Sequence, residues 1–321
     1  MDSGEKILVT GASGFLGAWI VRDLVERGVD CVLFDRDPDL RRLDELMPDR
    51  PDLTVETGDI AEIDDVVGAV ERHGVTRIIH LAALQIPGCR PDPMLGARVN
   101  VLGTLSVFEA ARRIDHVRKV VYASSAAVIG PEDFYAGRTV KNDDPLAPAT
   151  HYGVFKQCNE GNAHVYWLDE EVSSIGLRPW TVYGLGRDQG VTSDATQAIA
   201  AAMEGRAFTI RYSGRNALQY AGDVGAAFVL CALDDRPVCK TFNLRGHVVE
   251  MEEFISRIDA VIPGAKDLIS LSGGPIPVAC DLDDSEYRAF LPEAPATSLE
   301  EGIRRTVEDL RRVQDRRPAA D

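Results

Sequence analysis

Among the six cysteines (Cys31, Cys89, Cys158, Cys231, Cys239 and Cys280) no two stand at CxxC spacing, and the histidines form no HExxH. The usual spacings of a zinc site are therefore missing, and no metal is expected. The scattered cysteines read as reduced, mostly buried thiols. Positive charge is scarce too: the formal net charge is −16. A nucleic-acid partner needs a basic footprint, so none is expected. The one basic cluster, Arg311, Arg312, Arg316 and Arg317, mixes with Asp315 and reads as a solvated helix end. Long apolar runs are also missing. The longest, such as Val224 to Leu233, fall far short of the roughly 20 residues that span a bilayer. The first residues carry Asp2 and Glu5 and run straight into a strand, without the basic segment of a signal peptide. The expectation is a cytoplasmic protein with no membrane partner.

What is present suits a well-packed globular chain: 321 residues, 45% hydrophobic and 27% charged. That is room for one large α/β body and a smaller appendage. Short apolar runs alternate with helical patterns through the first half. Strands are expected at Lys6 to Thr10, Cys31 to Phe34, Leu53 to Val55, Arg77 to Leu81, Lys119 to Ala123 and Ser173 to Leu177. Helices are expected at Phe15 to Arg27, Ile63 to His73, Pro93 to Arg113 and His151 to Glu171. Nearly continuous apolar strands imply a sheet covered on both faces. The fold class is thus α/β, a doubly wound parallel sheet of Rossmann type with a smaller C-terminal substrate lobe. Residues 1–178 would form the dinucleotide-binding domain, with contributions from about 218–245, and 179–321 mainly the substrate lobe. After Arg178 the alternation weakens, with helical stretches near Ser193 to Glu204 and Met251 to Val261 among Gly- and Pro-rich loops such as Leu271 to Pro277.

The first strand opens into TGASGFLG, Thr10 to Gly17, and then into a helix. Gly11 permits a tight turn, Gly14 lets the backbone approach a pyrophosphate, and Gly17 lets the helix pack closely on the strand. Ser13, Phe15 and Leu16 complete the turn, whose free helix-terminal amides suit a diphosphate. The second strand ends in Asp35, a carboxylate placed to accept from adenosine ribose hydroxyls and to repel a 2′-phosphate. Arg36 follows it and suits a 2′-phosphate, but strand alternation points the two differently. The expected cofactor is NAD.

Further segments follow in order: Gly58-Asp59-Ile60, HLAA from His80 to Ala83, Asn100 within RVNVLGT, SSAAVIG from Ser124, YGVFK from Tyr152 to Lys156, and LRPWTVYG from Leu177. With TGASGFLG, this series resembles the extended short-chain dehydrogenases/reductases of the NAD-dependent epimerase/dehydratase family, over almost the whole chain. The resemblance implies that Asp59 and Ile60 flank the adenine and that Leu81, Ala82, Ala83 and Asn100 line the cofactor groove. It implies Tyr152, Lys156 and Ser125 as catalytic residues, Tyr152 and Lys156 also meeting the cofactor. One helical turn separates Tyr152 from Lys156, so both lie on one face. A free tyrosine titrates at about 10. A neighbouring ammonium and the positive nicotinamide ring would bring it toward neutrality as a base. Ser125 would orient the substrate oxygen, with Ser124 its competitor at the strand end.

The family's dehydratases carry an Asp-Glu pair where this chain has Ala126 and Ala127, so dehydration is not expected. Members that bind nucleotide-diphosphate sugars place cationic and amide groups at three later positions. Here those positions hold Thr181, Asn216 (with Arg215 beside it) and the arginine-free segment SGGPIPV from Ser272. Buried diphosphates need paired donors. The expectation is a dehydrogenase moving a hydride between NAD and a carbinol carbon of a free sugar, sugar acid or polyol. Thr181 and Arg187 would bind substrate, Arg187 holding an anionic group; Arg178 and Arg211 are further cations that could compensate. The alternatives are a nucleotide-diphosphate-sugar 4-epimerase with transient NAD reduction and, more remotely, a non-catalytic NAD-binding sensor. The resemblance further suggests a homodimer pairing the helices around Pro93 to Arg113 and His151 to Glu171 across a two-fold axis.

Overall fold

The structure, a computed structural model, describes residues 4–316. Asp2 and Arg317, named above, lie outside the described residues. Among the described residues there are twelve strands: β1 (Lys6–Thr10), β2 (Asp30–Asp35), β3 (Thr54–Thr57), β4 (Arg77–His80), β5 (Lys119–Ala123), β6 (Ser174–Arg178), β7 (Thr181–Tyr183), β8 (Phe208–Ile210), β9 (Arg215–Tyr220), β10 (Cys239–Asn243), β11 (His247–Glu250) and β12 (Ile269–Leu271). Seven form one parallel sheet in the order β10-β6-β5-β4-β1-β2-β3. The strand order reverses between β1 and β4. In such sheets ligands bind beyond the carboxyl ends of the strands at that reversal.

Alternation along each strand covers both faces. Ile7 and Val9 join one core with Trp19, Ile20 and Phe228, from the helices Phe15–Glu26 and Ala221–Leu233. Leu8 faces the other, with Phe34, Val70, Phe108 and Tyr122, under the helices Ile63–His73 and Gly103–Arg113. Burial on both faces explains why these strands read as unbroken apolar runs.

The later segments form smaller pieces. β7 pairs with β9 in parallel and β11 with β9 antiparallel, while β8 and β12 pair separately. Strands of three residues carry too little pattern to be read from sequence, and of the terminal helix Leu299–Arg316 only the basic end is legible there. The expected single helix from Pro93 to Arg113 is interrupted by a π-helical turn at Arg98–Leu102. There the Asn100 carbonyl accepts from the Thr104 hydroxyl (2.7 Å) and the Asn159 amide (2.9 Å). All six cysteines are free; Cys158 is exposed, Cys239 half-buried and the rest buried. No helix of the described residues is long and apolar enough to cross a membrane.

Candidate active site

The glycine turn lies at the reversal between β1 and β4. Gly11 has φ +69°, and a Cβ there would sit 2.7 Å from the Ala82 nitrogen and 2.9 Å from its Cα. The turn after β1 and the loop after β4 thus touch backbone to backbone, which only glycine allows. A Cβ on Gly17 would lie 2.4 Å from the Gly11 carbonyl oxygen, so the first helical turn packs directly on the loop. Gly14 caps the helix without any side-chain acceptor, and its first turn holds no acidic residue. Those amides are left for an anion. Asp35 turns its carboxylate toward this turn, accepting from Ser13 N (3.1 Å) and from Arg36 N (2.8 Å). Arg36 itself is exposed. The cradle closed to any Cβ, the free helix terminus and the inward carboxylate fit NAD.

Behind β4 a buried chain of hydrogen bonds shapes the groove wall. Thr104 gives its proton to the Asn100 carbonyl, so its oxygen accepts from the second ring nitrogen, Nε2, of His80 (3.0 Å). His80 Nδ1 then accepts from Thr10 Oγ1 (2.8 Å), which receives the amides of Leu81 and Ala82. This assigns the Nε2-protonated tautomer from the partners. Burial pushes the His80 pKa down to about 3, helped by the charge of Lys156. Asn100 grips the Leu84 backbone through both amide atoms (2.7 and 2.9 Å), so its side chain shapes the loop after Ala83 from beneath. Asp59 takes a turn role: its Oδ1 accepts from Ala61 N (3.0 Å), and its Oδ2 lies 3.5 Å from Arg98. Ile60 is buried against Gly103.

Ser125 and Tyr152 meet. Ser125 starts the turn Ala126–Val128, accepting from Ala127 N (3.1 Å), and stands close enough to the Tyr152 hydroxyl to act on its pKa, whereas Ser124 turns inward to donate to Glu160 (2.5 Å). Gly153, unremarked in the sequence reading, makes this meeting possible. A Cβ there would lie 2.2 Å from the Ala127 carbonyl oxygen, so any other residue would push the helix off the turn. Lys156 is buried and donates to the Ala123 carbonyl (2.6 Å), and its ammonium lies 5.6 Å from the centre of the Tyr152 ring. Burial lowers its pKa to about 8. For Tyr152 burial prevails and raises the pKa, while the Ser125 hydrogen bond and the charge of Arg187 pull it back. The expected lowering by Lys156 is thus replaced, within the chain alone, by Ser125 and Arg187.

The later cations divide sharply. Arg178 is buried and paired with Glu160 (2.7 Å), also donating to Asn142 and Asn243. Arg211 pairs with Asp194 (2.7 Å), and Arg215 is exposed beside Glu132. Arg187 alone among them has no carboxylate partner among the described residues. It donates to Thr192 (2.9 Å), and its Nε is buried with no partner. Thr181 Oγ1 and both amide atoms of Asn216 are also buried without partners. Tyr212, close enough to Arg187 for their charges to interact, holds another such hydroxyl, and nothing in its sequence context marked it. Trp180 donates to the Ala279 carbonyl and Tyr183 to that of Leu299, both as core residues; His151 is exposed. Asp223 holds Thr297 through two hydrogen bonds (2.6 and 2.7 Å).

Comparison with known proteins places this geometry in a lineage. Residues 7–244 match the model of the NAD dependent epimerase/dehydratase family. The UDP-glucose 4-epimerase of Mycolicibacterium smegmatis is 30% identical over 321 residues, covering 95% of this chain and 98% of that protein. Among solved structures, the Thermus thermophilus UDP-glucose 4-epimerase in complex with NAD superposes with a TM-score of 0.81 at 25% identity, covering 95% of this chain and 99% of that one. MoeE5 in complex with UDP-glucuronic acid and NAD gives 0.80 at 28%, with 96% and 99% covered. This chain is therefore an NAD-dependent enzyme belonging to the NAD dependent epimerase/dehydratase family.

Proposed function

We propose that this enzyme is a dehydrogenase acting on a carbinol carbon of a small, singly anionic sugar-like substrate such as a sugar acid. The observation that carries the reading is the division of the arginines. Arg178, Arg211 and Arg215 are each engaged by a carboxylate, which leaves Arg187 as the one guanidinium of that set with no carboxylate partner among the described residues. A diphosphate demands paired cationic donors, whereas a single carboxylate is satisfied by one. Thr181 and Asn216, at positions where nucleotide-sugar enzymes hold the diphosphate, offer neutral groups suited to hydroxyls.

Bound NAD supplies the hydride chemistry. The chain's part is to move one proton and hold one oxygen. Ser125 donates to or accepts from the substrate oxygen, and Tyr152 takes the proton of that hydroxyl at its phenolic oxygen. Lys156, anchored on the Ala123 carbonyl, would hold the cofactor's ribose and keep a positive charge near the phenolate that accepts this proton. A second reading, a nucleotide-sugar 4-epimerase, is favoured by the name and near-complete coverage of the Mycolicibacterium relative. Ala126 and Ala127, which can move no proton, support neither reading's extension to dehydration.

We further propose a homodimer. On the helix His151–Glu170 the exposed residues Val154, Cys158, Gly161, Val165 and Leu168 recur at the alternating spacing of one helix face, and Met94, Leu95 and Leu102 are exposed on the neighbouring segment. The deciding experiment adds NAD to the purified enzyme with uronic and aldonic acids, free sugars and UDP-sugars. NADH accumulating steadily with an acid, and lost in Tyr152→Phe, is the expected result. Interconversion of UDP-sugar epimers without net NADH would overturn it in favour of the second reading.

A further inference from the structure

The loop Gly184 to Gly190 carries Arg187 but is fastened to the cofactor-binding end of the molecule. Arg42 makes three contacts that span the two. Its NH1 donates to the Ser13 carbonyl (3.2 Å), inside the glycine turn. Its Nε donates to the Gly186 carbonyl (3.1 Å), and its NH2 pairs with the Asp188 carboxylate (2.6 Å). Two further contacts reinforce the clasp. The Trp19 indole donates to the Leu185 carbonyl (3.0 Å), and the Arg187 guanidinium lies 5.5 Å from the centre of the Phe15 ring. Gly186, at φ +87°, brings its backbone against the Arg42 stem, where a Cβ would be 3.4 Å from Cδ.

These contacts fall on the turn whose free amides would face the diphosphate. Ser13 and Phe15 flank Gly14, the uncapped helix start. The loop is thus fastened to the turn itself. We infer that Arg42 is a positioning residue that clasps this loop over the diphosphate turn, so that NAD leaves only after the clasp opens. The same contact sets where Arg187 stands, which couples cofactor occupancy to the substrate end, and linkage makes that coupling reciprocal. The inference rests on NAD binding and not on the identity of the substrate.

Arg42 also brings a positive charge near the diphosphate, so its removal alone does not separate a clasp from a counter-charge. Asp188 separates them. Asp188→Asn removes the ion pair on the loop side of the clasp, keeping the Gly186 contact, while leaving the Arg42 charge, freed of its carboxylate partner, beside the turn. The protein is loaded with NADH and chased with excess ADP-ribose, and the loss of NADH fluorescence gives the release rate. Three hydrogen bonds from one guanidinium, one of them to a carboxylate, predict release about tenfold faster in Arg42→Met, equivalent to about 1.4 kcal/mol. Asp188 is exposed, so Asp188→Asn should release NADH roughly two- to fivefold faster. Hydrogen exchange of the amides of residues 184–192 should slow on NADH binding in the wild type and not in Arg42→Met. Release from Asp188→Asn at or below the wild-type rate, whatever Arg42→Met does, would overturn the inference and leave Arg42 a counter-charge.

Discussion

Gly11 gives the sharpest test of how the cofactor groove is built. Gly11 and Gly28 share nearly the same left-handed backbone, φ +69° and +68°, yet their surroundings differ completely. A Cβ on Gly28 meets nothing within 4 Å. One on Gly11 meets the Ala82 nitrogen at 2.7 Å, its Cα at 2.9 Å and the Leu81 carbonyl carbon at 3.0 Å, all backbone that cannot swing aside. Gly28→Ala should therefore cost only the left-handed penalty, about 1–2 kcal/mol. Gly11→Ala carries the same penalty plus about 1–3 kcal/mol of overpacking, for a sum of roughly 2–5 kcal/mol. That sum is a large part of the roughly 5–15 kcal/mol that holds a domain folded. Urea unfolding of the cofactor-free proteins measures both losses, and NADH titration measures the groove. Gly11→Ala should also weaken NADH binding at least about tenfold, the cost of about 1.4 kcal/mol from parting two walls of the site. Equal losses at the two positions, with NADH binding intact in Gly11→Ala, would refute the backbone contact between the β1 turn and the β4 loop.

Three further expectations follow from the same geometry. Asp35→Asn removes the charge facing the glycine turn and should reduce discrimination against NADP by about tenfold or more, read as the ratio of Kd values for NADH and NADPH. His80 is held neutral, its pKa depressed to about 3, while an unfolded histidine titrates at 6.5. Between those values the unfolded chain binds the extra proton, so stability is full above pH 6.5 and falls as pH drops toward 3. A His80→Gln variant should show a flatter acid limb in urea midpoints; an unchanged slope would mean that another group controls acid unfolding. Finally, Val154→Asp with Leu168→Asp should turn a dimer into a monomer by analytical ultracentrifugation, with NADH binding retained. An unaltered sedimentation coefficient would place the interface elsewhere.

The sequence alone determined the parts whose signals are local. TGASGFLG between a strand and a helix is a steric statement about neighbouring residues, so the turn and the NAD cofactor could be read directly. Tyr152 and Lys156 share a helix face because one turn separates them, and that too is local. Even the apolar runs of β1, β4 and β5 announced a sheet covered on both sides. Tertiary structure decided whatever depends on residues distant in the chain. Whether Arg178 is free turns on Glu160, and whether Arg211 is free turns on Asp194. Ser125 meets Tyr152 because Gly153 lets the helix approach Ala127, and Arg42 acquires its role only when Gly186 and Asp188 arrive beside Ser13. The direction of the Tyr152 shift likewise came from burial, which no spacing encodes. Backbone sterics and helical periodicity act over a few residues and leave marks in sequence; charge pairing and desolvation are set by what folding brings alongside.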